Sequence, residues 1–417
     1  MRRPAKMIDP AAFTVSASPL GAYLVCSRYQ YPATSNARLE IATCNTTPLA
    51  IRDTISPNSL VEGFVRYLKL AVLICCAAAV SIAAGINMPA GKVELKSAGA
   101  LAMGPDGILF VGDSLAGKIV ALDVNDSASA ARSGSLEIKG VTEKIAAMLG
   151  TAAGDVLIQD VVVSSATRNV YIAVSRGRGA DAVPVILRAD ASGKLSDVSL
   201  ANIRHQSVAI SDAPQQDRQR METITQLKYV DGKVLVAGLS NEEFSSTLRS
   251  IPFPFETVSK GAGIEIFHGS HGRFETNAPV RTFVPYEING EKAVLAAYTC
   301  TPLVRIPVSE LKPGNKVKGT TIAELGAGNK PLDMIVYAKD GKHYILLANS
   351  RRGVMKLTAD HLESYSGITK QTEITGVPYE TIASLKGVQH LDKFDDASAL
   401  VLMGEGASLD LRTVPLP

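Results

Sequence analysis

The residues best equipped for chemistry are a histidine pair and a thiol. His268-Gly269-Ser270-His271-Gly272 sets two imidazoles three residues apart. That spacing can grip Zn2+, but structural and catalytic zinc sites need three or four protein ligands. The pair alone falls short, so a glycine-rich hairpin turn outweighs a metal site at His268 and His271. Cys300 stands in Tyr298-Thr-Cys-Thr-Pro302. A thiol nucleophile needs a neighbouring base to lower its pKa, and none is local in sequence, so Cys300 reads as a small buried strand residue. His205, His343, His361 and His390 show no ligand spacing. No G-x-S-x-G elbow, P-loop, H-E-x-x-H or C-x-x-C-H occurs.

Composition narrows the partners. The 417 residues carry 43 basic and 40 acidic side chains, a formal charge of +3, which gives no reason to expect nucleic acid. Trp is absent and aromatics are 5%, so stacking platforms are poorly supplied. The long apolar run Leu70–Ala84 follows Arg66 and Lys69 and exits through Ser81, Ala83, Ala84 and Gly85. This is the build of a secretory signal peptide over 65–85, and it is short for a membrane span. Export to the periplasm or beyond is expected, with membrane attachment only if that segment is retained. Residues 1–64, rich in Pro, Thr, Ser and Asn, read as a disordered or untranslated leader, Val65 being the alternative start. Of the five cysteines, cleavage near Ala84 would leave Cys300 alone.

The elements that must position any site are legible in Ala100-LAMGPDGILFVGDSLAGKIVALDV. Apolar runs of about five residues split by tight Gly turns are antiparallel hairpins. Looser copies begin at Asp160, Ile224, Tyr286, Leu332 and Val388, and their runs VYIAV, VLVAG, AVLAA, YILLA and ALVLM suit strands buried on both faces. The PDG turn, the apolar strand ending in Asp-Ser and the following glycine turn resemble the NHL-type blade of six-bladed β-propellers. The resemblance implies an all-β propeller over 90–417, six blades of four antiparallel strands. Gly91-KVELKS is expected to close it as the outer strand of the last blade, and the chain is expected to be a monomer.

In NHL-type blades the end of the second strand and its turn lie on one face, near the channel. The resemblance therefore gathers Asp113, Ser114, Ser175, Arg176, Ser240, Asn241, Thr299, Cys300, Asn349, Ser350, Arg351 and Glu405 around one mouth, while each taken singly reads as a local turn residue. Converging polar groups over an apolar scaffold make a ligand site. Asp113, Asn241, Asn349 and Glu405 offer oxygens to Ca2+ or another divalent ion, as in similar metal-dependent lactonases and esterases. Arg176 and Arg351 oppose a cation and favour an anion. The sequence requires no cofactor. It points first to an exported protein binding a small, anionic ligand or a protein partner, and second to a metal-dependent hydrolase. Glu242–Ala262 reads as an insertion between second and third strands, either a lid or a patch against the next blade. Asn202–Met221 reads as a solvated or ligand-contacting connection, and the His268–His271 turn as lying on the opposite face.

Overall fold

A computed structural model describes residues 15–18, 21–24, 86, 88–126, 134–215, 217–256, 260–300 and 302–417. The apolar run at 65–85 and most of the leader lie outside these. Within the leader, Val15–Ser18 and Gly21–Leu24 form a short hairpin. The remainder, from Ala84 onward, is a separate unit. It is a six-bladed β-propeller.

The inner hairpins follow from local chemistry. Asp231-Gly232, Asn289-Gly290 and Asp340-Gly341 all hold positive φ at both positions, joining Val230 to Lys233, Ile288 to Glu291 and Lys339 to Lys342. Two-residue turns of this kind match the twist of the flanking strands, and Asp or Asn before Gly tolerates them best. Among the second strands, Ile108–Asp113, which follows the Pro105-Asp106-Gly107 turn, and Lys233–Leu239 are buried along nearly their whole length, and Lys342–Asn349 over its last five residues.

Among the described residues, six buried clusters fix the ring. Blades are numbered here in chain order by their inner strands: Leu101–Met103, Val156–Val163, Gln226–Val230, Val280–Ile288, Pro331–Lys339 and Val388–Lys393. One cluster joins first and third blades through Phe110, Ile119, Leu227 and Val236. Others join third to fourth, fourth to fifth and fifth to sixth. The sixth packs on the second through Leu400, Leu411, Ile172 and Val174, and the second on the first through Tyr171, Ala173, Leu109 and Val120. Going round, the blades run first, third, fourth, fifth, sixth, second. The first two have exchanged places relative to the chain.

The path explains the exchange. After the first blade's third strand, Lys118–Asp123, the chain crosses to the sixth blade, where Glu137–Ile138 pairs with Leu411 and Arg412 as the fourth strand. The helix Val141–Leu149 tucks Val141 and Ile145 into the sixth–second interface. The second blade is then built, and Ile203–Ala209 returns to pair with the first blade's Lys118–Leu122.

Closure therefore differs from the expected latch. Ala90–Gly91 pairs with Ile203 and Arg204 on the first blade, and the last blade's outer strand is Glu137–Ile138. The segment after Gly91 is tied down locally, because Lys96 N, Ser97 N and Ser97 Oγ all donate to Asp113. The supposed insertion also contains a strand, Ser246–Pro252, the third of its blade, which makes Ala262–His268 the fourth. Phe253 and Phe255 meet Phe110 at 4.8 and 5.9 Å between ring centroids, so this stretch is a patch against the first blade. Asn202–Met221 is equally structural. It holds the return strand, and its Asp212 is buried against Arg249 at 2.9 Å.

Candidate functional site

The inner strands begin at the mouth of the channel, and four of them carry a bulge there. Register shifts fall between Ile158 and Asp160, Val280 and Thr282, Pro331 and Asp333, and Val388 and His390. A bulge leaves one residue unpaired and re-aims its neighbours. The bulged residues Gln159, Arg281, Leu332 and Gln389 all line a cavity of about 990 Å3, within the range of ligand pockets.

At the base of this cavity stand Asp160, Asp333 and His390, with one oxygen or nitrogen from each within 4.8 Å of the others. His390 Nδ1 lies 3.0 Å from Asp333 Oδ2 and 3.7 Å from Asp160 Oδ1. The same carboxylates stitch blades together. Asp160 accepts the Leu101 amide at 2.7 Å and Asp333 the Leu391 amide at 3.2 Å. Gln226 Oε1 accepts the Phe283 amide, and its amide nitrogen donates to Asp333 Oδ1 at 3.2 Å. Burial, together with the Asp333 charge, pushes Asp160 up to about 7, against the pull of His390. Burial acts to lower His390, but the hydrogen bond and charge of Asp333, with Asp160 behind it, outweigh that and raise it. The cluster can hold a proton or accept hydroxyl hydrogen bonds near neutral pH.

Around the rim the sign changes. Arg281, Lys330, Arg351, Lys386 and Arg412 line the cavity beside Glu222, Glu405 and Asp410. Arg281 is engaged with Glu222 at 2.8 Å. Burial and the Arg281 charge push Lys330 down from the ordinary lysine range. Arg412 Nε and Asn349 Oδ1 are buried with no hydrogen-bond partner, a costly state that ligand or water groups would relieve.

Of the residues expected at this mouth, Ser114, Ser175, Asn349, Ser350, Arg351 and Glu405 line the cavity. Ser114 Oγ is also tied to the Ile224 backbone. Asp113 does not line it. Its carboxylate is taken up by the Lys96, Ser97 and Ala116 donors. Arg176 reaches the Leu149 carbonyl at 3.5 Å on the exposed surface. Asn241 donates its amide to Asp212 O, and Thr299 accepts from Arg281 Nε at 3.1 Å. Two of the four oxygen ligands considered for a cation, Asp113 and Asn241, thus stand outside the cavity that Asn349 and Glu405 line. Sequence reasoning missed Asp160, Asp333 and His390. A trace of two of them existed: Asp160 directly precedes the apolar run VVV and Asp333 the run MIV within their inner strands.

Cys300 is a half-buried turn residue at φ 65°, close to His268 and His271, one ligand atom from each of the three lying within 4.8 Å of the others. Because the intervening strand makes Ala262–His268 the fourth of its blade, the histidine turn ends on the same face as the second-strand ends. Glu275 binds both imidazoles, His268 Nδ1 at 2.8 Å and His271 Nδ1 at 2.7 Å. Burial acts to raise Glu275, but its bonds from His268, His271 and Arg273 prevail and hold it at about 2. Burial lowers His268 despite Glu275. Nearby Glu324, accepting the Gly269 amide, is pushed up by burial to about 7.

No protein-family model matches the chain, and neither does any curated protein sequence. Among solved structures it is similar to a glucose dehydrogenase at 12% identity and TM-score 0.34, covering 79% of this chain and 99% of that one. A streptogramin B lyase gives 10% identity and TM-score 0.29, covering 79% and 98%. The PQQ-bound aldose sugar dehydrogenase from Streptomyces coelicolor gives 9% and 0.28, covering 79% and 98%. Likeness at this level carries no chemistry across.

Proposed function

We propose that this propeller is an exported binding protein whose channel mouth takes a small anionic ligand bearing hydroxyl groups. The observation that carries this reading is the make-up of one cavity: exposed Lys330, Arg351 and Lys386 and the half-buried Arg412 line it together with the carboxylate and imidazole cluster of Asp160, Asp333 and His390. A guanidinium matches a carboxylate or phosphate by its planar fork, and carboxylate oxygens accept from hydroxyls. Export rests on the signal-like run at 65–85.

A thermal-shift screen of small carboxylates, sugar acids and phosphates would supply a probe, followed by calorimetry. Losing a charge-assisted contact costs about 1.5–3 kcal/mol, roughly 10- to 150-fold in affinity. Arg351→Ala and Arg412→Ala are expected to weaken binding by that factor, and the outward Arg176→Ala to leave it unchanged. Binding that survives both rim substitutions would refute the anionic reading.

A metal-dependent hydrolase at the same mouth is the second reading, favoured by the convergence of Asp160, Asp333 and His390. It requires a stoichiometric divalent ion that Asp160→Asn and Asp333→Asn both release, read by elemental analysis.

A further inference from the structure

We propose that His268, His271 and Cys300 form a transition-metal site, with Zn2+ the best-matched ion, on the rim between the third and fourth blades. The inference is independent of the channel reading. Two imidazoles and a thiolate are the donors that a borderline-soft divalent ion prefers, and hard ions such as Ca2+ do not.

The chain brings the donors together from distant places. The one-turn 3-10 segment Gly269–His271, closed by Gly272 at φ 68°, folds His271 back over His268 with ring centroids 3.9 Å apart. Cys300 arrives from the next blade, and its turn is pinned by its amide to the Asn329 carbonyl at 2.7 Å. Three protein ligands beside exposed His271 would leave a fourth position to water. A tetrahedral zinc with bonds of about 2.0–2.3 Å holds its ligand atoms roughly 3.3–3.8 Å apart. The observed limit of 4.8 Å therefore asks for closure by about 1.5 Å at most, within the reach of side-chain rotation.

Two further observations point to a ligand. Glu275 accepts from both Nδ1 atoms, which fixes the tautomers and leaves each Nε2 with its lone pair, the outer-shell carboxylate arrangement of histidine metal sites. His268, 2% exposed, keeps its Nε2 buried with no hydrogen-bond partner. Beneath the turn, Glu324 Oε2 is also buried and partnerless. A lone pair so placed is unsatisfied until an electrophile or donor meets it.

The test is titration of the chelator-stripped full chain with ZnCl2 by calorimetry, with Co2+ as a spectroscopic probe. One equivalent is expected to bind, with a thiolate-to-cobalt charge-transfer band, and Zn2+ is expected to shield the Cys300 peptide from alkylation, read by mass spectrometry. His271→Ala and Cys300→Ser should each weaken binding at least tenfold, and Cys300→Ser should abolish the band. Glu275→Gln should weaken it about 10- to 100-fold. His271 and Cys300 are not fully buried, and circular dichroism on each variant checks that the fold is kept. Absence of stoichiometric binding would overturn the proposal, as would binding that survives both His271→Ala and Cys300→Ser. Binding lost on Asp160→Asn instead would place the ion in the channel and refute it equally.

Discussion

The second to fifth blades differ from the first and sixth in how the chain supplies their strands. In the second to fifth, the four strands follow one another along the chain, with only short excursions of Lys316–Lys318 onto the third blade and Ile374–Gly376 onto the fourth, and the third, fourth and fifth blades pack in chain order. The first blade waits for Ile203–Ala209, strung through the second, and the sixth for Glu137–Ile138, laid down before the second blade exists. One circle thus contains two kinds of construction. Hairpin order decides the first, while the second is decided by two segments, 134–155 and 203–215, that the chain must place across long separations. Closing such loops costs entropy that only deep burial at the crossing points offsets.

The largest effect is expected where the crossing segment meets the third blade. Arg249 and Asp212 are 1% and 3% exposed, and Arg249 also reaches the Leu239 carbonyl. Asp212→Ala leaves a buried guanidinium unpaired and should cost about 3–5 kcal/mol in urea unfolding. The counterpart in a continuous blade, Lys356 with the largely exposed Glu380, should lose under about 1 kcal/mol on Glu380→Ala. Equal costs at the two pairs would erase the distinction.

Next comes the closing strand. Ile138 is 1% exposed and sits in the sixth–second interface. Ile138→Ala should cost about 2–5 kcal/mol, comparable with Ile322→Ala in the fourth strand of the continuous fourth blade, where Ile322 is fully buried. A loss below about 1 kcal/mol at Ile138 alone would mean that the ring is not fastened there.

What could be read from the chain follows the same division. The PDG and Asp-Gly or Asn-Gly turns and the doubly buried second strands are local patterns, and they gave six blades, including the one beginning near Tyr286. The closing strand was invisible because Glu137–Ile138 is two residues long and its partner lies about 270 residues away. The fourth-strand position of His268 was lost because Ser246–Pro252, with its central Arg249, looked like an insertion. Arg249 is tolerated there only because Asp212 arrives from elsewhere. Part of the mouth was readable from second-strand ends, where Ser114, Asn349, Arg351 and Glu405 stand. Its base was not, because Asp160, Asp333 and His390 come from three blades and their spacing exists only across the ring.

Read per pH unit, the smallest effect expected is the pH dependence of the seam between the exchanged blades. Asp160 joins second to first blade through the Leu101 amide, and its carboxyl is raised to about 7 by burial and the Asp333 charge. An unfolded Asp titrates near 4, so between about pH 4 and 7 the folded state holds a proton that the unfolded chain has released. Stability must therefore fall as pH rises through that window, by about 1.4 kcal/mol per pH unit at most for one group. His390 acts with the same sign. Its pKa is raised, so its contribution is complete below the unfolded value near 6.5 and is lost as pH climbs past it. Thermal melts from pH 5 to 8 should show Tm declining, and Asp160→Asn, which cannot ionise, should flatten the decline while lowering the acid-side Tm little. A decline that Asp160→Asn leaves intact would assign the effect to other groups and detach the exchanged seam from the proton held at the channel base.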